Sequence, residues 1–262
     1  ATSKCYFVLA DENGELLEHM VLDYIGRNPG DDMSMRTIYN QERTMLKNLM
    51  CRIYPDVIVM GATNLNCQQI KLELDNISKE VVEEAKEISP NTELYRPFVM
   101  WGISSVPNAW AKTFQAKNKF PELPAELREA LSMCRVVQDP LVETLNLWNE
   151  RIKDNVLLSL NYHVMQHMVS PVKLKSEFEK IAMEVCNNVG VDINRVVKYR
   201  HLSSPLQFIC GLGPRKAAHL IEKINYEVGP VKTRREIFDS TMQKTVYINA
   251  IGFIKILEDS VG

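Results

Sequence analysis

The stretch ICGLGPRKAAHLIEKI, residues Ile209–Ile224, decides the architecture of the second half of this chain. Gly211 and Gly213 flank a single residue, Leu212, so the backbone can turn tightly there and lie close to a ligand with no Cβ in the way. Pro214 suits the first position of a helix, where its missing amide would have been unpaired anyway. Beyond it Ala217, Leu220, Ile221 and Ile224 fall on one helical face. The remaining N–H groups of that first turn point outward at the positive end of the helix dipole, and Arg215 and Lys216 add two cations beside them. A phosphate fits there. A plain helical corner with a glycine stop and a proline start fits the same string, and the string alone leaves both open.

The segments around this hairpin read the same way. SPVKLKSEFEKIAMEVCNNVG starts a helix at Ser170, with Pro171 at its first position, and Gly190 stops it. Leu174, Phe178, Ile181, Ala182, Val185 and Val189 are its expected inward face. Asp192 can cap DINRVVKY, Ser204-Pro205 opens LQFIC, Thr233 can cap RREIFDS, and KTVYINAIG ends at Gly252. No convincing strand appears. Short helices joined by tight turns predict an all-α second domain.

The first half alternates strands and helices. CYFVLA (Cys5–Ala10) reads as a strand, Asp11-Glu12-Asn13-Gly14 as a tight turn, and Glu15–Leu22 as the partner strand. Ser34–Tyr54 places Ile38, Met45, Leu46, Leu49, Met50 and Ile53 on one helical face, and Pro55 ends it. Asp56–Gly61 is a continuous apolar run, the pattern of a strand buried on both faces. Asn64 can cap a helix carrying Cys67, Ile70, Leu74, Ile77 and Val81. Glu93–Trp101 reads as another strand, weakened at Pro97; a helix spans Pro124–Val137, and Pro140 restarts a second one through Trp148. This predicts an α/β domain ahead of the helical one.

Composition bounds the function. The chain has 262 residues, 45% of them apolar and 24% charged, enough for two cores. No apolar run approaches the length of a membrane helix, and no secretory leader pattern is present. The chain opens at Ala1 rather than a methionine, so the expectation is a piece of something longer. The 6 cysteines stand far apart without a CxxC pair, which argues against structural zinc and for buried thiols in a reducing compartment. The net charge of −2 hides an acidic residue range 1–150 and a basic range 151–262, so a polyanion partner would suit the second half alone. Uneven solvated surfaces would give the same balance.

Read in order, YHVMQHMV, VGVDINRVV, SPLQFICGLGPRKA and INAIGFIKI closely resemble one family. It is the eukaryotic transcription elongation factor and histone chaperone family called suppressor-of-Ty-six, similar to bacterial Tex. YPDVIVMGATNLNCQQIK and LREALSMCRVVQDPLVE in the first half resemble it too, so the likeness covers nearly all of residues 5–257. It implies a YqgF-like domain of ribonuclease-H-like fold over residues 1–148, without its first strand. It further implies a helix-hairpin-helix domain over 149–257, with 258–262 as a tail. The implied partners are the backbone of DNA or RNA, the RNA polymerase II elongation complex and, through the full-length protein, histones and nucleosomes. The implied compartment is the nucleus, and no cofactor is implied. The nucleic-acid-binding candidates are Gly211, Leu212, Gly213, Arg215 and Lys216, with Lys244 from the second hairpin. That hairpin departs from the family, reading Met242-Gln243-Lys244-Thr245 where relatives tend to carry Gly-Pro-Lys.

A ribonuclease-H-like fold raises the alternative of a metal-dependent nuclease or resolvase. Two-metal cleavage needs three or four converging carboxylates. Gly61–Asn66 carries none where the second should stand, and Asp139 alone matches a position near the third. Asp139 suits a helix cap at Pro140 better, and Asp11 suits a turn. His163 and His167 could share a helix face but lack a third ligand. Gly26–Asp32 reads as a polar loop, and no phosphate loop or nucleophile elbow is present. The expectation is therefore no catalytic and no metal residues. A third alternative is a protein-interaction scaffold that never touches nucleic acid.

Overall fold

The first strand-turn-strand forms because Asp11 makes the turn rigid. Its carboxylate accepts the backbone N–H groups of Asn13 (2.9 Å) and Glu15 (2.7 Å), and Gly14 takes a φ of 79°. This joins β1 (Cys5–Ala10) to β2 (Leu16–Leu22) in antiparallel register, Cys5 opposite Leu22, with an irregularity between Leu9 and Ala10. The computed structural model describes residues 4–25, 32–62, 66–88 and 95–257 of the chain. It divides into two units, Ala1–Gln138 and Asp139–Gly262.

In the first unit, α1 (Met33–Ile53) is capped by Asp32 and ends at Tyr54, whose φ of 53° turns the chain into Pro55. The Glu42 carboxylate of α1 accepts the backbone N–H groups of Asp23, Tyr24 and Ile25, fixing the exit of β2. β3 (Val57–Gly61) pairs in parallel with β4 (Phe98–Gly102), on either side of α2 (Cys67–Ile88). The helices α3 (Ser105–Ala111), α4 (Phe114–Lys119) and α5 (Ala125–Gln138) follow. Leu46, Met50, Met60, Leu74, Ile77, Val81 and Val99 form the core.

Several sequence expectations change here. Ile38 and Met45 are exposed, and only Leu46 and Met50 of α1 are buried. The strand expected to be buried on both faces is not: Val57 is exposed and Met60 alone is buried. β4 begins after Pro97, which lacks the N–H a ladder position needs, and the start expected at Glu93 lies outside the described residues. Residues 105–119 hold two short helices that the sequence did not announce. The cap at Asn64 and most of the Gly26–Asp32 loop lie outside the described residues.

The second unit contains α6 (Pro140–Leu145), α7 (Pro171–Val189), β5 (Val191–Asp192), α8 (Ile193–Lys198), α9 (Gly213–Lys223), α10 (Arg234–Thr241), α11 (Lys244–Ala250) and β6 (Ile254–Lys255). Ser170 caps α7 through the Lys173 N–H, and Asp192 caps α8 through that of Asn194. Ala182 and Cys186, with Ile193, Leu206, Leu220, Ile224, Ile237, Ala250 and Ile254, make the core. Ile181, Val185 and Val189 of α7 instead face outward. Small residues let α7 approach the core closely, and that sets its rotation. The unit is also not strictly all-α, since β5 and β6 pair in parallel over two residues.

Candidate nucleic-acid interface

The Gly211–Lys216 turn is held in place from below. Leu212 is buried and its N–H donates to the Ile209 carbonyl at 3.0 Å, which anchors the middle of the turn in the core. Both flanking glycines take positive φ, 86° at Gly211 and 72° at Gly213, a conformation that costs any other L-residue about 1–2 kcal/mol. Their surroundings differ. A Cβ at Gly211 would meet the Asn249 Cβ at 3.0 Å and the Val246 carbonyl at 3.4 Å, whereas one at Gly213 would meet nothing within 4 Å. Gly211 therefore lets the two hairpins close on each other, and Gly213 leaves open space over the turn.

Gly213 rather than Pro214 is the first residue of α9, with the proline second. The cap position is Leu212, which has no side-chain acceptor for the first-turn amides. α9 carries no acidic residue in that turn, and Arg215 and Lys216 are both exposed on it. The Lys216 ammonium donates to the Gly211 carbonyl at 3.1 Å, so its charge sits over the turn instead of extending into solvent. Open backbone, an uncapped helix start and two cations are thus gathered within six residues. Such a place suits an anion that arrives on an extended polymer and is shared by many backbone units.

Lys244 is the exposed first residue of α11, the helix whose Val246 and Asn249 abut Gly211. Gln243, the cap of α11, makes no side-chain capping bond. Two asparagines missed in the sequence hold the hairpins. Asn187 of α7 accepts the Cys210 N–H at 3.1 Å, tying the start of the first turn to α7. Asn194 of α8 exchanges a pair of 2.9 Å bonds with the backbone of Val231, ahead of α10. Both residues look like surface positions in sequence, and their partners are 23 and 37 residues away. Thr233 does not cap α10 through its own side chain; instead Glu236 accepts from its hydroxyl and from the Lys232 N–H, which holds that carboxyl below the usual carboxylate range.

The carboxylates and histidines considered for metal chemistry have other work. Asp11 closes the β1–β2 turn, and Asp139 caps α6 by accepting the Val142 N–H at 3.0 Å. His163 and His167 share no helix face, because this segment runs through turns and the short 3-10 helix Gln166–Met168. His163 accepts the Met165 N–H, and His167 lies 3.0 Å from the Val164 carbonyl. Among the described residues no three His, Cys, Asp or Glu side chains gather as a metal site, and no helix is long and apolar enough to cross a membrane.

A sequence model described as a helix-hairpin-helix motif matches residues 155–257. The chain is 29% identical over 95% of its length to a protein of Arabidopsis thaliana named transcription elongation factor SPT6-like, of which it covers 18%. It is 27% identical, again over 95% of its length, to the suppressor of Ty 6 homolog of Caenorhabditis elegans, covering 16% of that protein. With transcription elongation factor SPT6 of Drosophila melanogaster it shares 31% identity over 79% of its length, covering 11%. The chain thus spans less than a fifth of the length of these relatives. The family motifs and these matches run the length of the same chain, and it belongs to the SPT6, or suppressor of Ty 6, family.

Proposed function

We propose that this chain is a non-catalytic segment of a nuclear transcription elongation factor that binds the backbone of DNA or RNA without sequence preference and acts as a scaffold. The observation that carries this is the Gly211–Lys216 turn, where open backbone and two cations meet at the start of α9 in a helix-hairpin-helix match. Gly211, Leu212 and Gly213 shape the contact, Arg215 and Lys216 neutralise phosphate, and Lys244 adds charge from the second hairpin. The first unit is a YqgF-like, ribonuclease-H-like domain. A β-hairpin, then two parallel strands separated by a helix, with helices following, supports that assignment. The relatives are named transcription elongation factors, which supports a role in transcription elongation. The family resemblance extends this to the RNA polymerase II elongation complex and, through the full-length protein, to histones.

Binding to duplex DNA and to RNA, followed by anisotropy from 50 to 200 mM salt, tests this. Neutralising two or three phosphates gives a log–log slope of roughly −2 to −3. Weak, salt-insensitive association would favour a pure protein scaffold instead. The nuclease alternative predicts Mg²⁺- or Mn²⁺-dependent cleavage that is lost in Asp139→Asn, and no cleavage is expected.

A further inference from the structure

A cleft of about 230 Å³ opens in the second unit beside the Gly211–Lys216 turn. One of its walls is a single stripe of α9. Pro214, Ala217, Ala218 and Ile221 follow the i, i+3, i+4, i+7 spacing of one helix face, and all four line the cleft. The two alanines keep this wall flat where larger side chains would fill the space. The opposite wall comes from the short 3-10 helices Arg200–Leu202 and Ser204–Phe208, which contribute Arg200, Ser204 and Gln207, with Ser203 between them. Pro214 is both the second residue of α9 and part of the cleft, so the cleft is continuous with the turn.

The polar groups of the cleft are of both kinds. The Ser203 hydroxyl donates to the Arg200 carbonyl at 2.6 Å and the Ser204 hydroxyl to the Val142 carbonyl at 3.0 Å, so each oxygen remains an acceptor. The Gln207 amide nitrogen donates to the Ser204 carbonyl at 3.0 Å, which holds the amide and keeps its oxygen as a third acceptor. Glu222 adds a carboxylate and Arg200 a cationic donor, both exposed. A second phosphate suits this set poorly, because it brings only acceptors to a place already rich in them. A nucleobase suits it well. Its flat faces match the alanine wall, and its edge carries N–H donors beside acceptors. The cleft is smaller than the roughly 300–1,000 Å³ usual for drug-sized ligands, so it takes one base and not a longer segment.

We infer that this cleft seats one unpaired nucleobase of a single strand whose phosphate rests on the Gly211–Lys216 turn. A base in a duplex is stacked and paired, and would have to be extruded to enter. The cleft therefore acts on single-stranded DNA or RNA and stays empty on a duplex. Every base carries at least one N–H donor on its pairing edge, so the cleft selects an unpaired strand rather than a sequence. The inference rests on the phosphate contacts proposed above and adds strandedness to them.

Anisotropy tests it with three ligands of equal length: a mixed-sequence single strand, the same backbone carrying abasic sites throughout, and a duplex. The wild-type chain should bind the intact strand about fivefold or more tighter than the abasic one, the worth of a hydrogen bond or two and the buried ring faces. Ala218→Leu puts a larger side chain into the cleft at an exposed helical position, where leucine is nearly as good a helix former as alanine. This variant should bind intact and abasic strands equally, with duplex affinity, log–log salt slope and thermal midpoint unchanged. Equal binding of intact and abasic strands by the wild-type chain would overturn the inference, and that comparison needs no variant. Discrimination that survives Ala218→Leu would also overturn it, by placing the base contact elsewhere. In both cases an undiminished salt slope would leave the phosphate contacts standing. Salt-insensitive binding of every ligand would instead overturn the phosphate reading, and this inference with it.

Discussion

Gly211 stands directly against Asn249: a Cβ on the glycine would lie 3.0 Å from the Cβ of the asparagine. The close approach of the two hairpins therefore depends on the absence of one side chain. Gly211→Ala meets both a positive φ and this contact, and should cost about 2–4 kcal/mol. Gly213→Ala meets the same φ strain with open space around it and should cost about 1–2 kcal/mol. Chemical denaturation of the two variants checks the order. Equal losses would mean that the contact with α11 contributes nothing.

Asn194 and Val231 form a second point of closure. Asn194→Ala removes both bonds and leaves the buried N–H and C=O of Val231 without partners, a loss of about 2–3 kcal/mol. Asn194→Asp keeps the bond accepted from the Val231 N–H but sets a carboxylate against the Val231 carbonyl, so it should rescue little. A change in thermal midpoint of under about 1 °C for Asn194→Ala would show that water replaces the pair.

How much of this was legible in the sequence depended on range. The Asp11–Gly14 turn and the caps at Ser170 and Asp192 were readable because each is made within four residues. The inward face of α7 was not. Apolar residues occur on more than one side of that helix, and close packing through Ala182 and Cys186, rather than bulk, selects the phase. The β5–β6 pair has no local signal, since Val191 and Ile254 pair although they stand 63 positions apart in the sequence. The glycines and cations of the candidate site were visible as a string. The asparagines that hold the string in place were not, since their partners are backbone groups far along the chain.

Thiol chemistry offers a footprint of the interface. Cys51 and Cys210 are exposed, while Cys186 is buried and burial, followed by the Asp139 charge, pushes its thiol up to about 12. Burial similarly raises the Cys134 thiol to about 11. At pH 8 a disulfide reagent should label Cys51 and Cys210 quickly and leave Cys134 and Cys186 unmodified in the folded protein. Cys210 adjoins Gly211, so bound duplex should slow its labelling and leave Cys51 unaffected. Equal slowing at both would place the nucleic acid elsewhere.

Ion pairs between α1 and α2 give an acid-side signature. Arg43 bonds Glu73 and Glu80, and the Arg43 hydrogen bond holds the Glu80 carboxyl below its ordinary value of 4.5. Stability from Glu80 is thus fully present above about pH 4.5 and is lost as pH falls through its lowered value in the folded protein. Its side chain is partly exposed, so the effect should stay below about 1 kcal/mol. Glu80→Gln should be less stable than wild type at pH 7, and the difference should shrink as pH falls below 4.5. Parallel stability curves across that range would remove the pair from the acid response.

The most direct measurement is the salt dependence of binding for a protein carrying both Arg215→Ala and Lys216→Ala. Both side chains are exposed in the first turn of α9, so thermal stability should match wild type. Losing up to two phosphate contacts should flatten the log–log slope by roughly 1–2 units, and should weaken binding about equally across DNA sequences. An unchanged slope for both DNA and RNA, in a variant as stable as wild type, would contradict phosphate binding at this hairpin.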